Sequence, residues 1–324
     1  LAGPEIDALD DAALATAMRK VRVYARIRPE QKLRLVQALK VDDEVVAMTG
    51  DGVNDAPALK AAHIGLAMGG RGTDVAREAA GIVLLDDDFG RIVDGVRLGR
   101  RIFENLRKVL IYIAAIHVPV ATLALAPLLL GLPPMILPLH VVLIEMVIDP
   151  ICSIAFENQP ESPGLMQRGP RSADEPLIGW RQLVLGVVLG VFVFAGCFAL
   201  YGWSIAAGNG EDQARTLAFV ALTIGNLMLV RILASSGFAL TGIAGAGQRP
   251  FWAITAVVTL AIGACIGVPY LADIFRFQNP GGGALVAVIV GSVAAMLLLD
   301  LIKRLPLVQR TLVVASKAAA SEAH

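Results

Sequence analysis

The chain has 324 residues, of which 56% are hydrophobic and 17% charged, and its 28 basic residues balance its 28 acidic ones. Zero net charge excludes a nucleic-acid binder that relies on bulk electrostatics, and the apolar content excludes an intrinsically disordered chain. The three cysteines lie in apolar runs, which excludes a disulfide framework or a zinc cluster. Residues 1–108 carry 17 basic and 17 acidic residues, so the sequence predicts a soluble front followed by a membrane-embedded remainder.

Short β-branched runs alternate with helical patterns through the soluble front. Four of these runs are predicted strands: residues 21–27, 45–49, 64–68 and 82–85. Pro29 is expected to open a helix after the first run, and Thr73 has the position of an N-cap. This alternation predicts a parallel α/β sheet that binds ligands at the carboxyl ends of its strands. Residues 86–108 are predicted to form a helix that continues into the membrane.

The string TGDGVNDAPAL, residues 49–59, follows the second predicted strand. Asp51 stands between glycines directly after that strand, so its carboxylate can reach Mg²⁺ without steric obstruction. Asn54 offers an amide donor to a phosphoryl oxygen, and Asp55 can cap the next helix and serve the outer shell of the metal. Lys32, on the preceding helix, supplies a positive charge for a phosphate. A Gly-Asp-Gly turn alone is common, but the whole string at a strand-to-helix junction is specific.

A membrane-spanning helix needs about 20 predominantly apolar residues. Six segments meet this requirement: 107–130, 134–156, 182–207, 215–235, 251–273 and 283–303. Lysine and arginine are concentrated before the first span, in the second and fourth loops and after the last span. By the positive-inside rule, residues 1–108 and the C-terminus are therefore predicted to be cytoplasmic, in a multi-pass plasma-membrane protein that contacts the lipid bilayer.

Glu145 and Asp149 lie four residues apart in the second span, so both carboxylates lie on one helix face near mid-membrane. Pro150 cannot donate a hydrogen bond, so carbonyl groups near Met146 can turn toward an ion. Charges inside a span are costly, which favours a cation site over the alternative of a buried protonated pair bonded to neighbouring helices. His117, in the first span, is either a further ligand or a packing residue.

Several of these stretches resemble known families. Asp51 to Asp55, with Lys32 upstream, resembles the late motifs of the haloacid-dehalogenase superfamily, and residues 49–59 resemble the hinge sequence of P-type cation pumps. The similarity extends through further stretches at residues 25–32, 64–69, 86–89 and 99–105. The six spans resemble helices five to ten of those pumps. The pattern is similar to the calcium-pump-like, type II branch in a bacterial form.

The resemblance implies a haloacid-dehalogenase-like, Rossmann-like α/β fold for residues 1–108, as the C-terminal part of a phosphorylation domain with its stalk helix. It implies an all-α bundle of six transmembrane helices over residues 109–305, and a cytoplasmic tail over 306–324. The implied activity is ATP hydrolysis through an aspartyl phosphate, coupled to cation transport, with Mg²⁺ and ATP as cofactors.

By the same similarity, Asp51 and Asp55 hold the catalytic Mg²⁺, while Lys32 and Asn54 contact the phosphoryl group. Phosphoryl transfer depends mainly on positioning and charge neutralisation, which these residue types provide. The Asp-Lys-Thr-Gly nucleophile motif of the pumps, and their nucleotide-binding and actuator domains, have no counterpart in this sequence. Together with the initial Leu1, this predicts a C-terminal portion of a pump, inactive alone, whose partner is the missing N-terminal part.

The transported ion is left open by the resemblance. The residues that match the ion ligands of calcium pumps are His117, Val120, Glu145, Ile148, Asp149 and Gly225. Asp149 alone is retained outright, so a two-calcium site is not expected. The alternatives are one divalent cation such as Ca²⁺, or a proton carried by the titratable residues of this set. Because Pro150 stands where calcium pumps have glycine, the helix is predicted to break there through a missing donor.

Two functions of other classes compete with the pump. A membrane-anchored phosphatase of the haloacid-dehalogenase type needs an Asp-x-Asp nucleophile after a strand, and neither Asp51 nor the acidic run 86–88 has that context. A truncated, non-catalytic membrane protein is the other alternative, against which the intact metal motif argues.

Overall fold

A computed structural model of the protein describes residues 1–41, 44–157, 159–171, 175–235, 238–239 and 249–302. The chain divides into two compact units, Leu1–Leu98 and Gly99–His324. The predicted tail, residues 306–324, lies outside the described residues.

The first unit contains a three-stranded parallel sheet in the order β1-β2-β3. Its strands are β1 (Ala47–Gly50), β2 (Ile64–Met68) and β3 (Ile82–Leu84). Its helices are α1 (Gly3–Asp7), α2 (Asp11–Met18), α3 (Pro29–Val41), α4 (Ala56–Ala61) and α5 (Asp74–Ala79). The strand-helix alternation follows the predicted pattern, and the Thr73 hydroxyl accepts a hydrogen bond from the N–H of Ala76 at 3.3 Å, as an N-cap does.

The predicted first strand is wrong. Residues 21–27 form no strand, and Ala25 makes only an isolated parallel bridge to Ala2. Arg26 has a φ of 52°, a left-handed conformation that ends the extended run. Tyr24 and Ile27 pack against the small core around Ile6, whereas Val23 is exposed, so the run does not have the single buried face of a strand.

The second unit is helical. Its elements are α6 (Gly90–Leu129, which begins in the first unit), α7 (Pro138–Leu143), α8 (Asp149–Glu157), α9 (Trp180–Ala206), α10 (Glu211–Ala234), α11 (Arg249–Gly267), α12 (Pro269–Phe275) and α13 (Gly282–Ile302). Counting α7 and α8 with the turn between them as one, six helices among the described residues are long and apolar enough to cross a membrane. The predicted fifth span is shorter than expected, because Val268 before Pro269 is extended and separates α12 from α11.

The predicted break at Pro150 takes another form. Ile144–Ile148 form a π-helical turn, in which the N–H of Asp149 bonds to the carbonyl of Ile144, and the helix continues into α8. A proline is tolerated in the first turn of a helical segment, so the chain widens before Pro150 and does not break.

Two glycines of α9, Gly186 and Gly190, let this helix approach α6 closely. A Cβ atom at Gly190 would lie 2.4 Å from the carbonyl oxygen of Ala115, and one at Gly186 would lie 2.9 Å from that of Ile111. This is the small-xxx-small arrangement by which membrane helices pack. In the membrane unit, α10 is the most buried of the six and packs against α9 and α13.

Candidate functional site

A lysine and an aspartate meet at the carboxyl end of β1. The Nζ atom of Lys32, on α3, donates to Oδ1 of Asp55 at 2.5 Å, and the N–H of Gly52 donates to Oδ2 at 3.3 Å. The Asp55 side chain is buried, whereas 29% of the Lys32 side chain stays exposed. The ammonium group therefore neutralises Asp55 on one side and remains accessible to a further anion on the other.

The electrostatics of this pair favour a permanent negative charge on Asp55. Burial by itself opposes ionisation, but the hydrogen bonds from Lys32 and from the N–H of Gly52 outweigh it and hold the pKa of the Asp55 carboxyl below its ordinary value. The carboxylate is thus ionised at neutral pH, as a metal site requires.

Asp51 follows β1 directly and is exposed, and Asn54 is exposed on the short 3₁₀ turn Val53–Asp55. The predicted Asp55 cap of α4 is not formed, since this side chain bonds to Lys32 and Gly52 instead. Gly50 allows the turn to close, because a Cβ atom there would lie 2.5 Å from the Cβ of Asp55. All four predicted residues of the soluble site therefore lie on α3 or on the turn behind β1.

This arrangement fits a magnesium–phosphate complex. Asp51 offers an exposed hard carboxylate, the kind of ligand Mg²⁺ takes together with water and phosphate oxygens. The part-exposed Lys32 and the exposed Asn54 amide offer donors to the phosphate itself.

The titratable residues of the membrane unit are only partly brought together. Nε2 of His117 lies 3.5 Å from Oε2 of Glu145, and its Nδ1 lies 2.8 Å from the carbonyl oxygen of Ile113. Both side chains of the pair are partly exposed. Asp149 is buried, and its carboxyl group lies next to the Tyr112 hydroxyl.

No three His, Cys, Asp or Glu side chains among the described residues lie close enough to hold a metal. His117, Glu145 and Asp149 therefore need oxygen ligands of another kind to form a complete site. The π turn at Ile144–Ile148 carries Glu145 and was missed from the sequence, because it changes the hydrogen-bond pattern without changing the apolar periodicity. Such turns occur often at functional sites.

Comparisons with known proteins agree with this geometry. Residues 133–305 match the family described as cation transporting ATPase, C-terminus, and residues 5–63 match haloacid dehalogenase-like hydrolase. A probable cation-transporting ATPase F of Mycobacterium bovis is 40% identical over 74% of this chain and 27% of its own length. The cation-transporting ATPase pma1 of Synechocystis is 35% identical over 86% of this chain and 30% of its own length.

The calcium-transporting ATPase 1 of Bacillus cereus is 34% identical over 84% of this chain and 32% of its own length. The chain thus spans between a quarter and a third of the length of these relatives. These matches confirm the resemblance to cation pumps. They also confirm the predicted fold class, which is a haloacid-dehalogenase-like α/β front followed by six apolar helices.

Proposed function

The chain belongs to the cation-transporting ATPase family, and on that premise we propose that it is the C-terminal part of an ATP-driven pump that couples an aspartyl phosphate to cation transport. The observation that carries the proposal is the Lys32–Asp55 pair beside Asp51 at the carboxyl end of β1. That arrangement suits phosphoryl transfer, a reaction that a passive membrane protein does not carry out.

In this proposal the soluble residues act on the phosphoryl group. Asp51 binds Mg²⁺, with Asp55 completing the site, and the bound ion neutralises charge on the transferring group. Lys32 and Asn54 hold the phosphoryl oxygens. The salt bridge from Lys32 keeps Asp55 ionised, and the buried position of Asp55 fixes the direction in which the ammonium group points.

The domain assignment follows the same proposal. Residues 1–108 form the end of a cytoplasmic phosphorylation domain with its stalk helix, residues 109–305 form six transmembrane helices, and residues 306–324 form a cytoplasmic tail. The nucleotide is bound mostly by the part of the pump that the family places before this region.

The transported cation is assigned to Glu145, Asp149 and His117. The contact between His117 and Glu145 and the burial of the Asp149 carboxyl inside an apolar helix support this assignment. A divalent cation such as Ca²⁺, or a proton, suits this set of side chains.

The test is ATP hydrolysis by the full-length polypeptide that contains this chain, reconstituted in lipid vesicles with Mg²⁺. Asp51→Asn is expected to abolish hydrolysis, because the amide cannot replace the charged ligand. Asp74→Asn is the matched control, since 95% of that side chain is exposed and it pairs only with Arg77 at the surface. Unchanged hydrolysis in Asp51→Asn would contradict the assignment of Asp51 as a Mg²⁺ ligand.

A further inference from the structure

The loop that follows β2 contacts the turn that carries Asp51. We call residues 69–73 the glycine loop, because three of its five residues are glycine. Its last residue, Thr73, donates its backbone N–H to the carbonyl oxygen of Asp51 at 2.8 Å. Strands β1 and β2 are parallel neighbours, so their carboxyl ends lie side by side. The conformation of the glycine loop therefore helps to determine where the Asp51 backbone lies.

Arg77, on α5, holds the two ends of the glycine loop together. Its Nη1 atom donates to the carbonyl oxygen of Gly69 at 2.7 Å and to that of Gly72 at 2.6 Å. Its Nη2 atom donates to Oδ1 of Asp74 at 2.5 Å, at the surface. The planar guanidinium can make these bonds together because its donors have a fixed geometry. Arg77 thus fixes the residue that leaves β2 relative to the residue before Thr73.

Asp87, which follows β3, holds the middle of the glycine loop. Its Oδ1 atom accepts the backbone N–H of Gly70 and its Oδ2 atom accepts that of Arg71, each at 2.9 Å. Two successive N–H groups that point at one carboxylate form an anion-binding concavity, which a side chain of the protein itself fills here. Only 18% of the Asp87 side chain is exposed, and a low local dielectric strengthens these charge-assisted bonds.

Glycine is required in this loop at a cost in conformational freedom. A Cβ atom at Gly72 would lie 1.9 Å from the carbonyl oxygen of Met68, and one at Gly70 would lie 2.9 Å from Oδ2 of Asp87. Glycine loses more conformational freedom on folding than any other residue. The four hydrogen bonds from Arg77 and Asp87 offset that loss and keep the loop in one conformation.

We propose that Arg77 and Asp87 are positioning residues for the magnesium ligand Asp51, which they hold in place through the glycine loop and the N–H of Thr73. This inference rests on the proposed pump function. Neither side chain is itself a metal ligand, because each acts on the backbone that leads to Asp51. A ligand with a fixed backbone loses less freedom when the ion binds, so loss of either support weakens binding of the ion.

The test compares Arg77→Met and Asp87→Asn with the wild-type protein, in the full-length polypeptide that contains this chain. Mn²⁺, which takes the same oxygen ligands as Mg²⁺, is titrated in the presence of inorganic phosphate, and free Mn²⁺ is measured by electron paramagnetic resonance. Each variant is expected to bind Mn²⁺ about tenfold more weakly, as is common when the support of a metal ligand is removed. ATP hydrolysis is expected to need correspondingly more Mg²⁺ and to approach the wild-type rate at saturating Mg²⁺.

Asp74→Asn is the matched control, because it breaks the salt bridge of Arg77 and leaves the bonds from Arg77 to the glycine loop in place. It is expected to keep the wild-type affinity for Mn²⁺. Melting temperatures identify a variant that does not fold, and if Arg77→Met is one, Asp87→Asn decides alone.

The inference is overturned if the folded variants bind Mn²⁺ as the wild-type protein does, or if Asp74→Asn loses as much affinity as Arg77→Met. It is also overturned if hydrolysis in the variants stays low at saturating Mg²⁺ while Mn²⁺ binding is unchanged, since the two residues would then support only the fold. If Asp51→Asn itself keeps the wild-type affinity for Mn²⁺, the metal assignment in the proposed function fails instead.

Discussion

The carbonyl oxygen of Asp51 accepts a hydrogen bond from the N–H of Thr73 at 2.8 Å. This bond ties the turn behind β1 to the start of α5, whose N-cap is the Thr73 side chain. The backbone of Asp51 is thus fixed while its carboxylate remains exposed. For the proposed role of Asp51 as a Mg²⁺ ligand, a fixed backbone position lowers the reorganisation that metal binding requires.

Position 50 requires glycine because the side chain of Asp55 occupies the space next to its Cα atom. Gly50→Ala is expected to destabilise the soluble unit by about 1–3 kcal/mol and to reduce Mg²⁺-dependent hydrolysis, because the new Cβ atom would lie 2.5 Å from the Cβ of Asp55. Thermal unfolding and ATP hydrolysis measure the two effects. Gly52→Ala is the control, since its Cβ atom would make an ordinary contact of 3.6 Å with the Asp55 carboxylate. Equal stability of the two variants would contradict the packing shown here.

The stability of the first unit is expected to depend on the ionisation of Asp55. Because the pKa of this carboxyl is lower in the folded state than its ordinary value of 3.8, its contribution is complete above that pH and is lost as pH falls through the folded value. Hydrogen-exchange protection of α4, corrected for intrinsic rates, follows this loss. In Lys32→Met burial acts without the opposing ammonium, so the loss is expected at higher pH. An identical pH profile in both proteins would exclude this coupling.

The close contact between α6 and α9 gives a second structural prediction. Gly190→Ala is expected to lower the stability of the membrane unit by about 1–3 kcal/mol, because its Cβ atom meets the Ala115 carbonyl oxygen at 2.4 Å and the helices must separate. Gly196→Ala, on the same helix with no atom within 4 Å, is expected to leave stability unchanged. Melting temperatures in lipid nanodiscs compare the two, and equal melting would show that α9 does not pack against α6 through Gly190.

Much of the fold follows from local patterns. Strand β2 was predicted to the residue, since Ile64–Met68 is an apolar run bounded by turn residues, and its neighbours differ only at their ends. The false strand at residues 21–27 shows the limit, because a single left-handed residue, Arg26, redirects an alternating run. The candidate site of the first unit could be predicted from the sequence because its residues, apart from Lys32, are close together in the chain.

The candidate ion site in the membrane unit could be predicted from the sequence only in part. Charged residues in an apolar helix are conspicuous, so the sequence is sufficient to propose Glu145 and Asp149 as ion ligands. Neutral polar residues are common in spans, and only the packed bundle shows which of them are buried, as Tyr112 and Asn226 are. The π turn is likewise a property of backbone hydrogen bonding that has no composition of its own.

The most direct test of a pump built from this chain is the cation dependence of ATP hydrolysis in wild-type and Asp149→Asn protein, measured on the full-length polypeptide in sealed vesicles. We expect a cation to stimulate the wild-type protein, and Asp149→Asn to lose that stimulation while it still binds ATP, because the proposed ion site depends on this buried carboxylate. Stimulation that survives in Asp149→Asn for every cation tested would contradict the assignment and place the ion elsewhere.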